Sequence, residues 1–227
     1  MLLAIDTATS VASVALYGGA MTGECTWQAR QDHTRQLMPQ IVNLMGTHGL
    51  LPRDLTAIGV GLGPGSFNGL RVGLACAKAL AFGLHVPIAG VGTLEALAYQ
   101  HSQVGLPVRP VLDAGRGQAS TALYRAAEGR WIQEEAPHLV DPPDLASLVL
   151  GRTLLAGEWR PQWLEALRQA RGELICVPSA AFNLRRAGFM AELAWRRIQI
   201  GQADDLASLQ PLYLRKPAIT VSRRECG

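Results

Sequence analysis

The stretch DTATSVASVALY at residues 6–17 returns without a gap as DAGRGQASTALY at residues 113–124. The two stretches are 107 positions apart and share six of their twelve residues. Each follows an apolar run, residues 2–5 (LLAI) or 108–112 (VRPVL), which is typical of a buried strand. Chance reuse of Ala, Leu and Tyr in strands is the alternative explanation. The repeat favours two tandem units, each with a buried strand, an aspartate turn and a second strand.

The remaining patterns predict an α/β protein. In the first half, three hairpin-linked strands precede helix, strand, helix and strand. In the second half we predict helices at 141–150, 161–171 and 181–199 and strands at 153–157 and 173–177. Two such units resemble the duplicated ribonuclease-H-like architecture of actin, sugar kinases and Hsp70-type chaperones, the ASKHA ATPase fold, with a smaller and atypical second unit. The expected domains are residues 1–103 and 104–215, followed by a C-terminal tail at 216–227.

Composition is typical of a folded protein, since 48% of the 227 residues are hydrophobic and 17% are charged. The net charge of +3 does not by itself indicate a nucleic-acid-binding protein. The four cysteines form no CxxC pair, and the N-terminus does not resemble a signal peptide. The longest apolar run, residues 74–92, is interrupted by charged residues and proline. We therefore expect a cytoplasmic protein without a membrane segment.

A glycine-rich loop opens the helix within residues 59–83, GVGLGPGSFNGLRVGLACAKALAFG. It lacks both the Gly-Lys-Ser/Thr ending of a P-loop and the glycine spacing of a dinucleotide-binding motif. After it, Gly69, Gly73, Ala77 and Ala81 recur every four residues and form a stripe of small side chains that another helix could approach closely. That partner could be internal or a second subunit. We favour a docking surface, which Ala77→Arg would block, formed by residues of two helices: His33, Leu37, Ile41, Met45, Gly69, Gly73, Ala77 and Ala81.

No residue pattern indicates a catalytic or metal site. The five histidines include no HxxxH pair, and Ser66 is not within a GxSxG motif. Asp6 ends a strand, so it could hold magnesium beside a phosphate or could accept hydrogen bonds from its own turn. The hydroxyls that follow keep the first option open. The possible nucleotide or phosphate residues are Asp6, Thr7, Thr9 and Ser10.

Four motifs resemble the TsaB (YeaZ-like) family of bacterial tRNA threonylcarbamoyladenosine biosynthesis proteins. They are LAIDTATS (3–10), GLGPGSFNGLRVGL (61–74), VLDAGRG (111–117) and PLYLRKP (211–217). The resemblance covers nearly the whole chain and implies a non-catalytic paralogue of the subunit TsaD, which transfers threonylcarbamoyl to an adenosine beside the tRNA anticodon. The catalytic relative carries a His-x-x-x-His metal motif where this chain has Thr93 and Leu97.

The resemblance also implies partners. They are a TsaD-type transferase, a TsaE-type ATPase in the assembled complex, tRNA indirectly, and a second copy of the chain when the transferase is missing. It implies no cofactor for the chain alone, with ATP or ADP bound only in the complex. Two alternatives stay open: an independent ATP-dependent enzyme of the kinase type, which would need Asp6, and, less favoured, a metallopeptidase. Asn68, Gly115, Gln118 and Ser120 depart from the family pattern.

Overall fold

The first half of the chain forms a five-stranded sheet with three helices. The structure, a computed structural model, describes residues 1–30 and 32–215, so the predicted tail at 216–227 lies outside the described residues. The strands of the first half are β1 (Leu2–Asp6), β2 (Val11–Tyr17), β3 (Met21–Gln28), β4 (Ala57–Gly63) and β5 (Ile88–Gly92). Its helices are α1 (His33–Thr47), α2 (Phe67–Leu84) and α3 (Thr93–Tyr99).

The second half forms another five-stranded sheet with shorter helices. Its strands are β6 (Val108–Asp113), β7 (Ala119–Ala127), β8 (Arg130–Val140), β9 (Thr153–Glu158) and β10 (Ile175–Cys176). Its helices are α4 (Pro161–Arg171), α5 (Ala180–Asn183) and α6 (Ala187–Gln199). Where the sequence predicts a helix at 141–150, the structure has only a 3-10 helix at Pro142–Ala146, which opens with two prolines that cannot donate backbone hydrogen bonds.

The two sheets have the same topology. The strand order of the first is β3-β2-β1-β4-β5, and that of the second is β8-β7-β6-β9-β10. In each, the central strand pairs antiparallel with the strand that follows it and parallel with the fourth strand of its half. The duplication predicted from the repeat and the α/β class are therefore confirmed. The second copy is also the reduced one, because β10 has two residues and α4 has 11 where α2 has 18.

Helices connect the halves, because α6 packs against the sheet of the other half. α1 and α2 cover one face of the first sheet, and α6 covers the opposite face with Met190 and Ala194. α3 packs against the second sheet on one side and against α6 on the other. The first sheet lies within residues 1–103 and the second within residues 104–215, whereas α6, from the later range, packs on the first sheet. The apolar face of α6 is buried mainly against β1, β2, β4 and β5, with further contacts to β3 and α3.

The predicted helix at 181–199 is interrupted. α5 ends at Asn183 and α6 begins at Ala187, with Leu184 and Arg186 in extended backbone conformations. This short extended segment turns the side chain of Arg185 into the protein, where it is buried.

The small residues of the glycine loop and α2 pack against the turn that follows β1. A Cβ atom on Gly65 would lie 2.2 Å from the carbonyl oxygen of Ala8, and one on Gly69 would lie 2.2 Å from that of Thr7. A Cβ on Gly73 would lie 2.2 Å from Thr7 Oγ1. The partner of the small-residue stripe is therefore internal, and glycine is required there because α2 touches this turn.

Replacement of Gly73 by alanine should lower the free energy of unfolding by about 1–3 kcal/mol, because the new methyl group collides with Thr7. Gly83→Ala in the same helix is the matched control, since no atom lies within 4 Å of its added Cβ. That change should be neutral or stabilising by up to about 1 kcal/mol. Urea unfolding measures both values, and equal stabilities of the two variants would contradict the packing described.

Candidate functional site

A cleft of about 680 Å³ lies between the two halves, where β1 and β6 end. Each of these strands ends in an aspartate whose carboxylate accepts a hydrogen bond from the backbone two residues on. Ala8 N donates to Asp6 Oδ1 at 2.9 Å, and Gly115 N donates to Asp113 Oδ1 at 2.8 Å. The two copies of the repeat thus form the same turn on opposite sides of the cleft. The lining includes Thr9, Ser10, Ser66, Phe67, Asp113, Arg116, Glu158, Tyr213 and Arg215.

Arg185 joins the two halves at the base of this cleft. Its Nη1 lies 3.1 Å from Asp6 Oδ2, and its Nε lies 3.1 Å from Glu158 Oε1 at the end of β9. Its Nη2 donates to Thr9 Oγ1 at 2.9 Å and to the Val11 carbonyl at 2.7 Å. The side chain is 3% exposed. A buried guanidinium therefore neutralises one carboxylate from each sheet and is itself well supplied with acceptors.

Three of the four predicted nucleotide residues have structural roles at this base. The Asp6 carboxylate accepts hydrogen bonds from its own turn and from Arg185. The Thr7 hydroxyl donates to the Gly69 carbonyl at 2.8 Å, and Thr9 Oγ1 donates to Glu158 Oε1 at 3.1 Å. Only Thr9 and Ser10 of the four line the cleft. A metal-bound nucleotide does not fit this base, because a guanidinium already stands beside the carboxylate that would hold the metal.

The predicted docking residues are buried in the chain itself. Seven of the eight pack beneath α1 and α2 against the first sheet or the turn after β1, and His33 is buried beside the same turn. Direct contact with a partner is contradicted by this burial, since a side chain that faces its own sheet cannot face another protein. The predicted docking residues to which this correction applies are His33, Leu37, Ile41, Met45, Gly69, Gly73, Ala77 and Ala81.

The outward surfaces of the same two helices carry exposed apolar side chains. Met38 and Val42 lie on α1, and Ala75, Ala79 and Phe82 lie on α2. Met38 Sδ is 3.5 Å from Cys76 Sγ, so the two helices meet along this surface. We call these five residues the outer α1–α2 surface. The predicted docking residues include none of these five, although residues 38 and 42, and likewise 75 and 79, have helical spacing.

α2 is apolar around much of its circumference. Among the described helices it alone is long and apolar enough to cross a membrane, which is weak evidence of a span, and only 33% of its residues are buried. Apolar residues beyond those that the sheet covers are typical of a helix that contacts another protein.

The positions where the resemblance implies histidines in the catalytic relative lie within α3. Thr93 and Leu97 are buried, and Thr93 Oγ1 has no hydrogen-bond partner among the described residues. Glu95, between them, is half-buried, and burial raises the pKa of its carboxyl while Arg197 opposes the shift. Residues 1–30 and 32–215 contain no group of three His, Cys, Asp or Glu side chains that could hold a metal ion.

Comparison with solved structures defines the class of protein. The structure superposes on a Pseudomonas aeruginosa protein described as similar to peptidase YeaZ with a TM-score of 0.80 and 25% identity, over 94% of this chain and 99% of that one. It also matches ROK hexokinase from Thermus thermophilus with a TM-score of 0.53 and 13% identity, over 87% of this chain and 99% of the hexokinase. The chain thus has the duplicated ribonuclease-H-like fold of the ASKHA class, as the sequence predicts.

Sequence comparison identifies the family. The family described as "TsaD: tRNA N6-adenosine threonylcarbamoyltransferase" matches residues 5–147. The tRNA threonylcarbamoyladenosine biosynthesis protein TsaB of Escherichia coli (strain K12) is 33% identical, over 94% of each chain. The protein of the same name from Bacillus subtilis (strain 168) is 36% identical, over 94% of this chain and 93% of the relative. The chain belongs to the TsaB (YeaZ-like) family, as its motifs indicate.

Loss of the Arg185 guanidinium at the base of the cleft should lower the stability of the fold. Arg185→Met leaves the buried Asp6 carboxylate without its counter-ion, and we expect the free energy of unfolding to fall by about 3–5 kcal/mol. Arg130→Met is the matched control, because its ion pair with Glu128 lies at the surface, where the two side chains are 74% and 82% exposed. The control should lose less than about 1 kcal/mol. Equal losses in urea unfolding would show that Arg185 does not hold the halves together.

Buried His33 should make stability depend on pH. Burial lowers the pKa of His33, although a hydrogen bond with the Thr9 backbone and the nearby Asp6 oppose the shift. Below the unfolded value of about 6.5, the unfolded chain therefore binds more protons, and stability decreases as the pH falls. The loss of unfolding free energy between about pH 7 and pH 5.5 should be smaller in His33→Gln than in the surface variant His48→Gln. An equal loss in both would contradict the role of His33.

Proposed function

We propose that this chain is a non-catalytic subunit that binds and activates a TsaD-type transferase, which modifies the adenosine beside the tRNA anticodon. The family's role in tRNA threonylcarbamoyladenosine biosynthesis supports this, as the names of the E. coli and B. subtilis relatives state. The outer α1–α2 surface is the observation that carries the proposal. It exposes apolar side chains of two adjacent helices, and a contiguous group of such side chains is typical of a site that another protein covers.

Two features of α3 and the cleft support a non-catalytic role. Threonine and leucine at 93 and 97 supply no imidazole where the transferase has its metal-binding histidines, and both side chains are buried. At the base of the cleft, Asp6 is paired with Arg185, so the carboxylate that a kinase-type enzyme would need is engaged. These features argue against the two enzymatic alternatives. The word peptidase in the description of the P. aeruginosa protein applies to that protein.

The remaining partners follow from the same proposal. A second copy of the chain would cover the outer α1–α2 surface when the transferase is missing. The TsaE-type ATPase would join the assembled complex, in which ATP or ADP would bind, and the chain alone would carry no cofactor. The complex would act in the cytoplasm, where tRNA is modified.

A charge placed on the outer α1–α2 surface should abolish binding of the transferase. Val42 is 64% exposed, so Val42→Arg leaves the core intact and would bury an unpaired charge in the complex. We expect the dissociation constant for the cognate TsaD-type transferase to rise by more than about 100-fold, measured by isothermal titration calorimetry. Leu150→Arg is the matched control, because Leu150 is 90% exposed in the second half, and it should bind normally.

A variant that tests docking must change an exposed residue and leave the core unchanged. Ala77→Arg is the variant that the sequence analysis suggests for blocking the partner. Because the Ala77 side chain is buried, this change would disrupt the fold rather than the docking surface alone. If Val42→Arg binds the transferase as well as Leu150→Arg does, the outer α1–α2 surface is not the docking site. Thermal unfolding of both variants verifies that neither change disturbs the fold.

A further inference from the structure

Two aromatic rings and an arginine form a stack at the mouth of the cleft. The ring centroids of Phe67 and Tyr213 are 5.2 Å apart with an interplanar angle of 36°. The guanidinium carbon of Arg71 lies 4.5 Å from the centroid of Phe67. Phe67 and Tyr213 line the cleft, yet they remain 38% and 37% exposed. The stack therefore offers aromatic surface to a ligand from solvent.

The same mouth has an excess of positive charge. Arg116 and Arg215 line the cleft with the two aromatic residues, and Arg215 donates to Gln118 Oε1. Within residues 1–30 and 32–215, no salt bridge involves Arg71, Arg116 or Arg215. The acidic side chains that line the cleft are already paired, Asp113 with Arg160 and Glu158 with Arg185. An approaching anion would thus meet arginines that have no carboxylate partner among the described residues.

Aromatic rings with arginines close by suit one class of ligand. Nucleobases stack on aromatic rings and guanidinium planes, whereas arginines bind the phosphates that connect them. Such stacking tolerates any base, because every base has a π-face, and it requires the base to be unpaired. The chemistry of the mouth therefore fits an unpaired nucleotide.

The arrangement favours a strand over a free nucleotide. The three arginines come from three separate segments: the first turns of α2, the turn after β6 and the stretch that contains Tyr213. The base of the cleft also pairs Asp6 with Arg185, which leaves no free carboxylate there for the metal of a nucleoside triphosphate. An extended ligand could contact all three arginines at the mouth of the cleft without entering its base.

We propose that the mouth of the cleft binds single-stranded RNA directly, with a base stacked on Tyr213 and phosphates bound by Arg116 and Arg215. The inference rests on the proposed function in one respect, since a subunit of a tRNA-modifying complex would meet an unpaired anticodon loop. It differs from the sequence expectation, in which tRNA contacts the chain only indirectly.

Fluorescence anisotropy with a labelled anticodon stem-loop RNA tests the stack. Tyr213→Leu should weaken binding about tenfold, because it keeps apolar packing against Phe67 but removes the aromatic face. Tyr213→Phe should bind as the unchanged protein does. The same RNA closed into a continuous duplex should bind all three proteins equally and more weakly. Equal binding of the stem-loop by the Leu and Phe variants would overturn the proposal.

The salt dependence of the same measurement tests the phosphate contacts. Arg116→Gln should lower the slope of log K against log salt by about one, since one phosphate contact is lost. Arg168→Gln removes the same charge from an exposed residue of α4 that does not line the cleft, and it should leave the slope unchanged. An unchanged slope in both variants would overturn the proposal. Displacement of the stem-loop by AMP at the same concentration as the RNA would also overturn the proposal, because the ligand would then be a free nucleotide.

Transferase binding, measured on the same variants, separates the two proposals. Arg116→Gln and Tyr213→Leu should still bind the transferase, whereas Val42→Arg should lose the transferase and keep the RNA. If the stem-loop fails to bind while Val42→Arg still loses the transferase, the RNA site is wrong and the docking proposal stands. If the RNA binds as described while Val42→Arg keeps the transferase, the docking proposal is wrong and the RNA site stands.

Discussion

The ion pairs that the buried Arg185 forms with Asp6 and Glu158 determine how the two halves of this protein meet. Asp6 ends the central strand of the first sheet, and Glu158 ends the neighbour of the central strand in the second. Arg185 reaches both because the chain leaves helical conformation between α5 and α6. A cleft that could hold a metal and a phosphate is thereby closed at its base by an internal cation. These ion pairs hold the two halves together. This is more typical of a binding subunit than of an enzyme whose cleft opens and closes around a substrate.

A second constraint acts through glycine. Because Gly65, Gly69 and Gly73 carry no side chain, α2 lies directly against the turn after β1. This contact buries the small-residue face of α2, whereas Ala75, Ala79 and Phe82 remain at the surface. The glycine loop therefore positions the outer α1–α2 surface, and through Phe67 it also places an aromatic ring at the mouth of the cleft.

The sequence predicts the local and repeated features of this fold. The strand and turn of each copy follow from the repeat, and α4 was predicted at its observed bounds. Contacts between distant segments were not predictable from a single sequence. Arg185 lies 179 residues from Asp6, and nothing in the residues around it distinguishes it from a surface arginine. The residues predicted for docking on α2 are those that its own sheet and the turn after β1 cover, because a helix that is apolar on several sides does not reveal which side the rest of the chain buries.

Hydrogen exchange of the chain, alone and mixed with its cognate TsaD-type transferase, tests the central claim most directly. If the chain is a docking subunit, backbone amides of α1 and α2 around residues 38–42 and 75–82 should exchange more slowly in the mixture, while those of α4 should be unchanged. Slower exchange confined to α4 and the second sheet, or no change at all, would contradict the account.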